Sequence, residues 1–272
     1  MRAHEVVTRH SVITRLTHWL GALAMIVLFF SGLQIFNASP MLDAADKSDA
    51  SRRVLSIEGG TPQNADRPVG MTVIFGHPFN TTGFLGYSSD GQGAAGPRAF
   101  PSWLTLPGYQ DLADGRRWHF FFAWILVACG IAYMIGGIAR KDLNLIVLRP
   151  SDLPKLIPMQ LYYLKLRREP PEHGKYNPLQ KLAYTIVLFV FSPLIVISGL
   201  ALSPGVDAIF PPLTAVLGGR QFARLWHFVL TFAFFGFFFM HLFLVLSTGV
   251  FNNLRSMITG RYRMGDHDGA GV

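Results

Sequence analysis

The chain has 272 residues, half of them hydrophobic and only 15% charged, with 23 Phe and a mean hydropathy of +0.33. Soluble domains carry roughly 25% charged residues, so this composition excludes a disordered chain or an ordinary soluble enzyme and is that of a membrane protein. The single Cys excludes an intramolecular disulfide, a Cys-ligated iron–sulfur cluster and a c-type haem attachment, which needs C-x-x-C-H.

In chain order, the first span is read from Leu16 to Phe36, preceded by basic residues and followed by Asn37-Ala38-Ser39. Its apolar run exceeds the roughly 7–15 residues of a signal-peptide core and carries His18 and Trp19, so it is read as a retained span. An outer region from Asn37 to Arg117 follows, far longer than an ordinary connection. It is expected to be a long loop, turned at glycines 83, 86, 91, 93 and 96, with apolar pieces Met71–Phe79 and Phe100–Tyr109 against the membrane or a partner. Further spans are read over Trp118–Ala139, Leu182–Leu202 and Leu225–Ser247, with Pro193 placed to kink the third. A short interfacial element is expected between Val206 and Leu217. None of the four spans contains Asp, Glu, Lys or Arg. Each reaches the roughly 20 residues a bilayer requires, and each must be helical to satisfy its own backbone. Ser31-Gly32-Leu33 and Ser198-Gly199-Leu200 echo each other near the ends of spans one and three.

An even number of spans puts both termini and the segment between spans two and three on one face. That face holds fifteen Lys and Arg and a net charge of +8, whereas the other holds nine and a net charge of zero. The positive-inside rule therefore places both termini in the cytoplasm. The excess charge is a topology signal and a contact for membrane lipid headgroups, and no nucleic-acid partner is expected. The fold class expected is an all-α membrane protein, a four-helix transmembrane bundle forming one domain over residues 1–272, with a long periplasmic loop between helices 1 and 2.

Ionisable residues inside a span mark function by default, and there are four: His18, His119, His227 and His241. His18 enters span one near the cytoplasmic face, and His241 lies toward the same face in span four. His119 and His227 both enter their spans at the outer face. The fourteen residues from His227 to His241 leave them about 40° apart on one helix face and roughly 21 Å apart along it. The histidines thus match in depth as two pairs. Two imidazoles, one from each side, are what a six-coordinate haem iron takes. Full axial ligation leaves electron transfer rather than oxygen activation as the task. Helix–helix hydrogen bonding is the plain alternative for any one histidine. Zinc fits less well, because neither pair completes a tetrahedral site. A proton relay lacks an intramembrane carboxylate. Arg15 beside the inner pair, and Arg116, Arg117 and Arg224 beside the outer one, serve either as partners of haem propionates or as interfacial anchors. Trp19, Trp118 and Trp226 fit either haem-edge packing or an aromatic belt.

These residues carry a resemblance. Arg15-Leu16-Thr17-His18-Trp19 entering span one, His119 opening span two, and His227 with His241 in span four resemble the bacterial di-haem cytochrome b subunits of the cytochrome b561, Ni/Fe-hydrogenase and formate dehydrogenase gamma type. Arg9-His10-Ser11-Val12-Ile13-Thr14-Arg15 and Trp103-Leu104-Thr105-Leu106-Pro107-Gly108-Tyr109 look most like the thiosulfate-reductase branch. The resemblance implies two b haems, with His18, His119, His227 and His241 as iron ligands, in a multi-pass protein of the bacterial inner membrane. It implies electron transfer between the quinone pool and a periplasmic oxidoreductase partner, molybdopterin-dependent or hydrogenase-like. Asn177-Pro178-Leu179-Gln180-Lys181 is similar to the Asn-x-Gly-Gln-Lys run of the formate dehydrogenase type, which makes Asn177, Gln180 and Lys181 quinone candidates; Leu179 stands where that run has glycine. The same residues also read as a polar helix start, with Pro178 in its first turn. The alternative function is a self-contained quinone-linked enzyme of superoxide oxidase type.

Overall fold

The computed structural model describes residues 6–63, 66–174, 176–247 and 249–263. It is mostly helical. Among the described residues, four helices are long and apolar enough to cross a membrane: α1 (Val12–Phe36), α2 (Leu112–Ala139), α3 (Pro178–Leu202) and α4 (Arg220–Ser247, spanning through Leu246). Each begins four to six residues before the apolar stretch read from the sequence. Helical hydrogen bonding does not stop where hydropathy stops: Arg15, Arg116, Arg117, Lys181 and Arg224 continue the helices, because long cationic side chains can carry their charge out of an apolar surround. At Pro193, which cannot donate a backbone N–H, α3 widens into a π turn over Val187–Phe191, where the Ser192 hydroxyl also donates to the Val187 carbonyl at 2.7 Å.

The chain divides into two compact units, and each helix contributes to both. One comprises Leu20–Val127 and Ile195–Phe232. Here the expectation of a long loop over 37–117 is corrected: the region is folded. Strands β2 (Met41–Asp43), β3 (Arg53–Gly60), β4 (Val69–Ile74) and β5 (His77–Asn80), numbered after an N-terminal β1 (Val6–Thr8), form an antiparallel sheet in chain order. β6 (Gly86–Ser89) and β7 (Ala95–Arg98) form a hairpin. The hairpin lies so close to the sheet that a Cβ on Gly59 would come within 1.8 Å of the Gly86 carbonyl oxygen, so only glycine fits there. Composition hid these strands because they are short and separated by polar turns. Burial of Leu42, Ile57, Ala99 and Phe100 against Leu33 and Phe36 of α1 gives the insert its core.

Polar groups lock the insert to the end of α1. Gln34 donates to the carbonyls of Tyr109 and Asp111 at 2.8 and 3.3 Å. Asn37 accepts from the Phe100 N–H at 2.7 Å and donates back to its carbonyl. Buried Arg98 donates to Phe100 O, Thr105 Oγ1 and Gly108 O, which folds the Phe100–Tyr109 stretch. Burial pushes the Arg98 guanidinium down from its ordinary value. The stretch over 206–217, read from sequence as an interfacial element, falls within two short helices, Pro204–Ile209 and Pro212–Val216, and the turn after them.

The other unit comprises Met1–Trp19, Ala128–Leu194 and Ala233–Val272. In it β1 pairs with β8 (Arg261–Arg263), and helix α5 (Val250–Thr259) ends on Gly260 in a left-handed cap. Arg15 donates to Ile258 O at 2.5 Å and Trp19 Nε1 to Met257 O at 3.0 Å, so the start of α1 is held by the end of α5.

Candidate cofactor sites

Each histidine pair lies inside one unit. His18 of α1 and His241 of α4 have ring centroids 6.1 Å apart with planes at 66°. His119 of α2 and His227 of α4 have centroids 6.2 Å apart with planes at 63°. A metal–imidazole bond of about 2 Å and roughly 1.1 Å from nitrogen to ring centre put two trans-axial imidazoles on one iron roughly 6.3 Å apart. Both pairs fit that spacing. All four imidazoles are half-buried. Among the described residues, no cluster of three or more His, Cys, Asp or Glu is placed to hold a metal ion, so each site consists of two nitrogen donors, which suits an iron already bound by a macrocycle.

The residues around the His119–His227 pair are arranged twice over. Ser31 Oγ lies 3.1 Å from His119 Nδ1, and Ser198 Oγ lies 3.0 Å from His227 Nδ1. Both serines are fully buried. A Cβ on the next residue, Gly32 or Gly199, would stand 3.4 or 3.2 Å from Cε1 of the same ring. At Gly199 the missing side chain lets the His227 ring lie this close, whereas at Gly32 a Cβ would stand at the edge of ordinary contact. Site reasoning from sequence passed over both serines, although the repeated Ser-Gly-Leu was the signal. The ring contacts of the other pair are aromatic: His18 sits edge-on to Trp19 at 5.3 Å and His241 stacks on Phe237 at 5.9 Å.

The arginines are spread more widely. Arg224 donates to the carbonyl and hydroxyl of Ser39 and lies over Phe36. Arg117 pairs with Asp114 at 2.8 Å with its side chain 79% exposed, and Arg15 holds Ile258. None of the three is free of protein partners. Trp19, Trp118 and Trp226 are exposed, as interfacial aromatics are.

Asn177, Gln180 and Lys181 cluster at the start of α3. Asn177 Oδ1 accepts from Gln180 N, and Gln180 Oε1 accepts from Asn177 N, a reciprocal cap at 2.9 and 3.1 Å. Asn177 Nδ2 also donates to the Tyr163 hydroxyl, and Lys181 Nζ reaches both carboxylate oxygens of buried Asp152 at 3.1 Å. Burial pushes the Asp152 carboxyl up, but the Arg149 N–H and Lys181 outweigh it and hold it below the usual carboxylate range.

Helices able to cross a membrane, carrying imidazoles paired at a spacing that fits a shared iron, suit a membrane protein that holds haem. The sequence profile described as prokaryotic cytochrome b561 matches residues 9–260, and the chain belongs to that family. It is therefore a b-type cytochrome of the multi-pass prokaryotic kind, with transmembrane electron transfer as its task. It is also similar to a protein of Azospira oryzae whose name provisionally makes it the protein-methionine-sulfoxide reductase subunit YedZ1, at 27% identity over 227 residues and 83% of each chain.

Proposed function

We propose that the chain holds two b haems, one between His119 and His227 near the periplasmic face and one between His18 and His241 near the cytoplasmic face. In this reading it is a single di-haem domain in the bacterial inner membrane, with both termini in the cytoplasm, joining a periplasmic oxidoreductase to the quinone pool. The observation that carries it is the spacing of the two imidazole pairs, 6.1 and 6.2 Å. Haem supplies a one-electron iron couple when bound. His18 with His241 and His119 with His227 would hold the haems, and two protein ligands to each would suit electron transfer. Arg15, Arg117 and Arg224 would meet propionates by sharing donors with their present partners. The charge difference between the two faces supports the orientation.

The reductase-subunit name of the Azospira relative supports an oxidoreductase partner. So does the insert over 41–98, since strands with their own core are more than a connection between α1 and α2 requires, which favours docking over a self-contained enzyme. The quinone end is assigned to the margin where α3 begins. There Asn177, Gln180 and Lys181 would have to share their donors between a quinone carbonyl and the cap and ion pair they already form.

The test is a haemochrome count with redox titration of single variants. His119→Ala and His227→Ala should each remove the outer haem and spare the inner one, and His18→Ala and His241→Ala should do the reverse. Two haems retained in all four variants would refute the ligand assignment. Co-purification of a periplasmic oxidoreductase supports the anchor role, whereas quinone-linked superoxide turnover by the isolated chain would replace it.

A further inference from the structure

Ser31 lies on α1 and meets a histidine of α2, while Ser198 lies on α3 and meets a histidine of α4. Each serine is thus in the helix preceding its histidine's helix, and each is followed by a glycine that faces the ring. The hydroxyl of each also faces a backbone carbonyl one turn back, Leu28 O at 3.3 Å and Ile195 O at 3.1 Å. A serine hydroxyl has one proton and a carbonyl has none. With that proton donated to the carbonyl, the serine oxygen can only accept from the imidazole, so the hydrogen between them sits on the histidine Nδ1. The serine partner of each ring therefore demands an Nδ1–H.

We infer that Ser31 and Ser198 are paired positioning residues that hold His119 and His227 in the Nδ1–H form and in fixed orientation, so that each presents the Nε2 lone pair to a shared iron. Outer-sphere bonds of this kind fix tautomer and ring angle and raise ligand basicity. The inference rests on the reading of this pair as haem ligands. The repeat has a geometric logic: a ligand on α2 and a ligand on α4 facing one metal require the same support from opposite sides, and the Ser-Gly dipeptide supplies it twice.

The experiment uses the full-length, haem-loaded protein with Ser31→Ala, Ser198→Ala and Ser198→Thr, beside His119→Ala and His227→Ala. Haem retention is followed by transfer to apomyoglobin, and ligand orientation by low-temperature EPR of the oxidised protein. Each Ser→Ala variant should weaken retention of one haem by about tenfold to a hundredfold, the range for losing an outer-sphere partner. It should also move the EPR signal of that haem while leaving the other unchanged, and Ser198→Thr, which restores a hydroxyl, should return the signal toward the wild-type position. Wild-type retention and spectra in both Ser→Ala variants, with the histidine variants each losing one haem, would overturn this inference and leave the ligand assignment standing. Both haems retained in the histidine variants would overturn the assignment and this inference with it.

Discussion

Replacing Gly199 by alanine tests the site by a distance. The new Cβ would stand 3.2 Å from His227 Cε1. Carbon atoms sit comfortably about 3.5–4.0 Å apart, so the ring or the helix must yield by roughly 0.3–0.8 Å. His227 has little freedom to do so, because Ser198 holds its Nδ1 at 3.0 Å and α4 holds its backbone. Overpacking of this kind costs about 1–3 kcal/mol, or roughly a five- to hundredfold weaker hold on the outer haem. Gly32→Ala meets His119 at 3.4 Å and should cost less. Gly136→Ala is the matched control: its Cβ would also stand 3.2 Å from its neighbour, but that neighbour is Cγ2 of Ile13, in the other unit. The assay is thermal loss of the haem Soret band in detergent, read separately for each haem. The expected order of outer-haem loss is Gly199→Ala, then Gly32→Ala, with Gly136→Ala at the wild-type value. Equal depletion by Gly136→Ala and Gly199→Ala, or a silent Gly199→Ala, would refute the steric reasoning.

The insert should respond to acid through Asp43. Burial pushes its carboxyl up, but the Arg53 side chain, the Asp49 N–H and the Ser48 hydroxyl outweigh that and hold it below the usual range. A depressed native value gives stability that is complete above the unfolded value of about 4 and is lost as pH falls through the native one. Amide protection in β2 and β3, taken relative to the base-catalysed intrinsic exchange rate at each pH, should therefore be level from pH 8 to about 5 and fall in more acid solution, and Asp43→Asn should cost about 1.5–3 kcal/mol at neutral pH. Lys181→Met strands the Asp152 carboxylate and should cost about 3–5 kcal/mol, much of it recovered by adding Asp152→Asn, as measured by thermal unfolding. Loss of quinone exchange with unchanged unfolding would mark Lys181 as a substrate contact instead. Arg98→Lys cannot reach all three of its acceptors and should lose about 2 kcal/mol, seen as proteolysis of the 100–109 stretch.

The spanning helices and their histidines were legible because a bilayer turns a long-range problem into a local one. Without water, the backbone must bond to itself within a run whose length the membrane sets. A histidine in such a run has no cheap reason to be there, and depth along the helix sorts the four into pairs, which the ring contacts of His18 with His241 and of His119 with His227 match. The insert was illegible for the opposite reason. Its strands hold three to eight residues and alternate weakly, and the segment after them is held by partners far away, such as Gln34 reaching Tyr109 and Asn37 reaching Phe100. The start of α3 was legible as a cap, through Asn177, Pro178 and Gln180, but Lys181 shows no sign in sequence of the carboxylate it meets at position 152.

Hydropathy and span length, taken alone, picked out four stretches long and apolar enough to cross a membrane, with histidines toward both ends of the set. The tertiary structure decided which groups serve those imidazoles. Ser31 and His119 are 88 residues apart and Ser198 and His227 are 29 apart. The repeated Ser-Gly dipeptide was visible as a string, yet it became a support for two ligands only when helix packing set each hydroxyl beside a ring nitrogen. A hydrogen bond depends on position to a few tenths of an ångström, whereas insertion into a bilayer depends on hydropathy summed over some twenty residues.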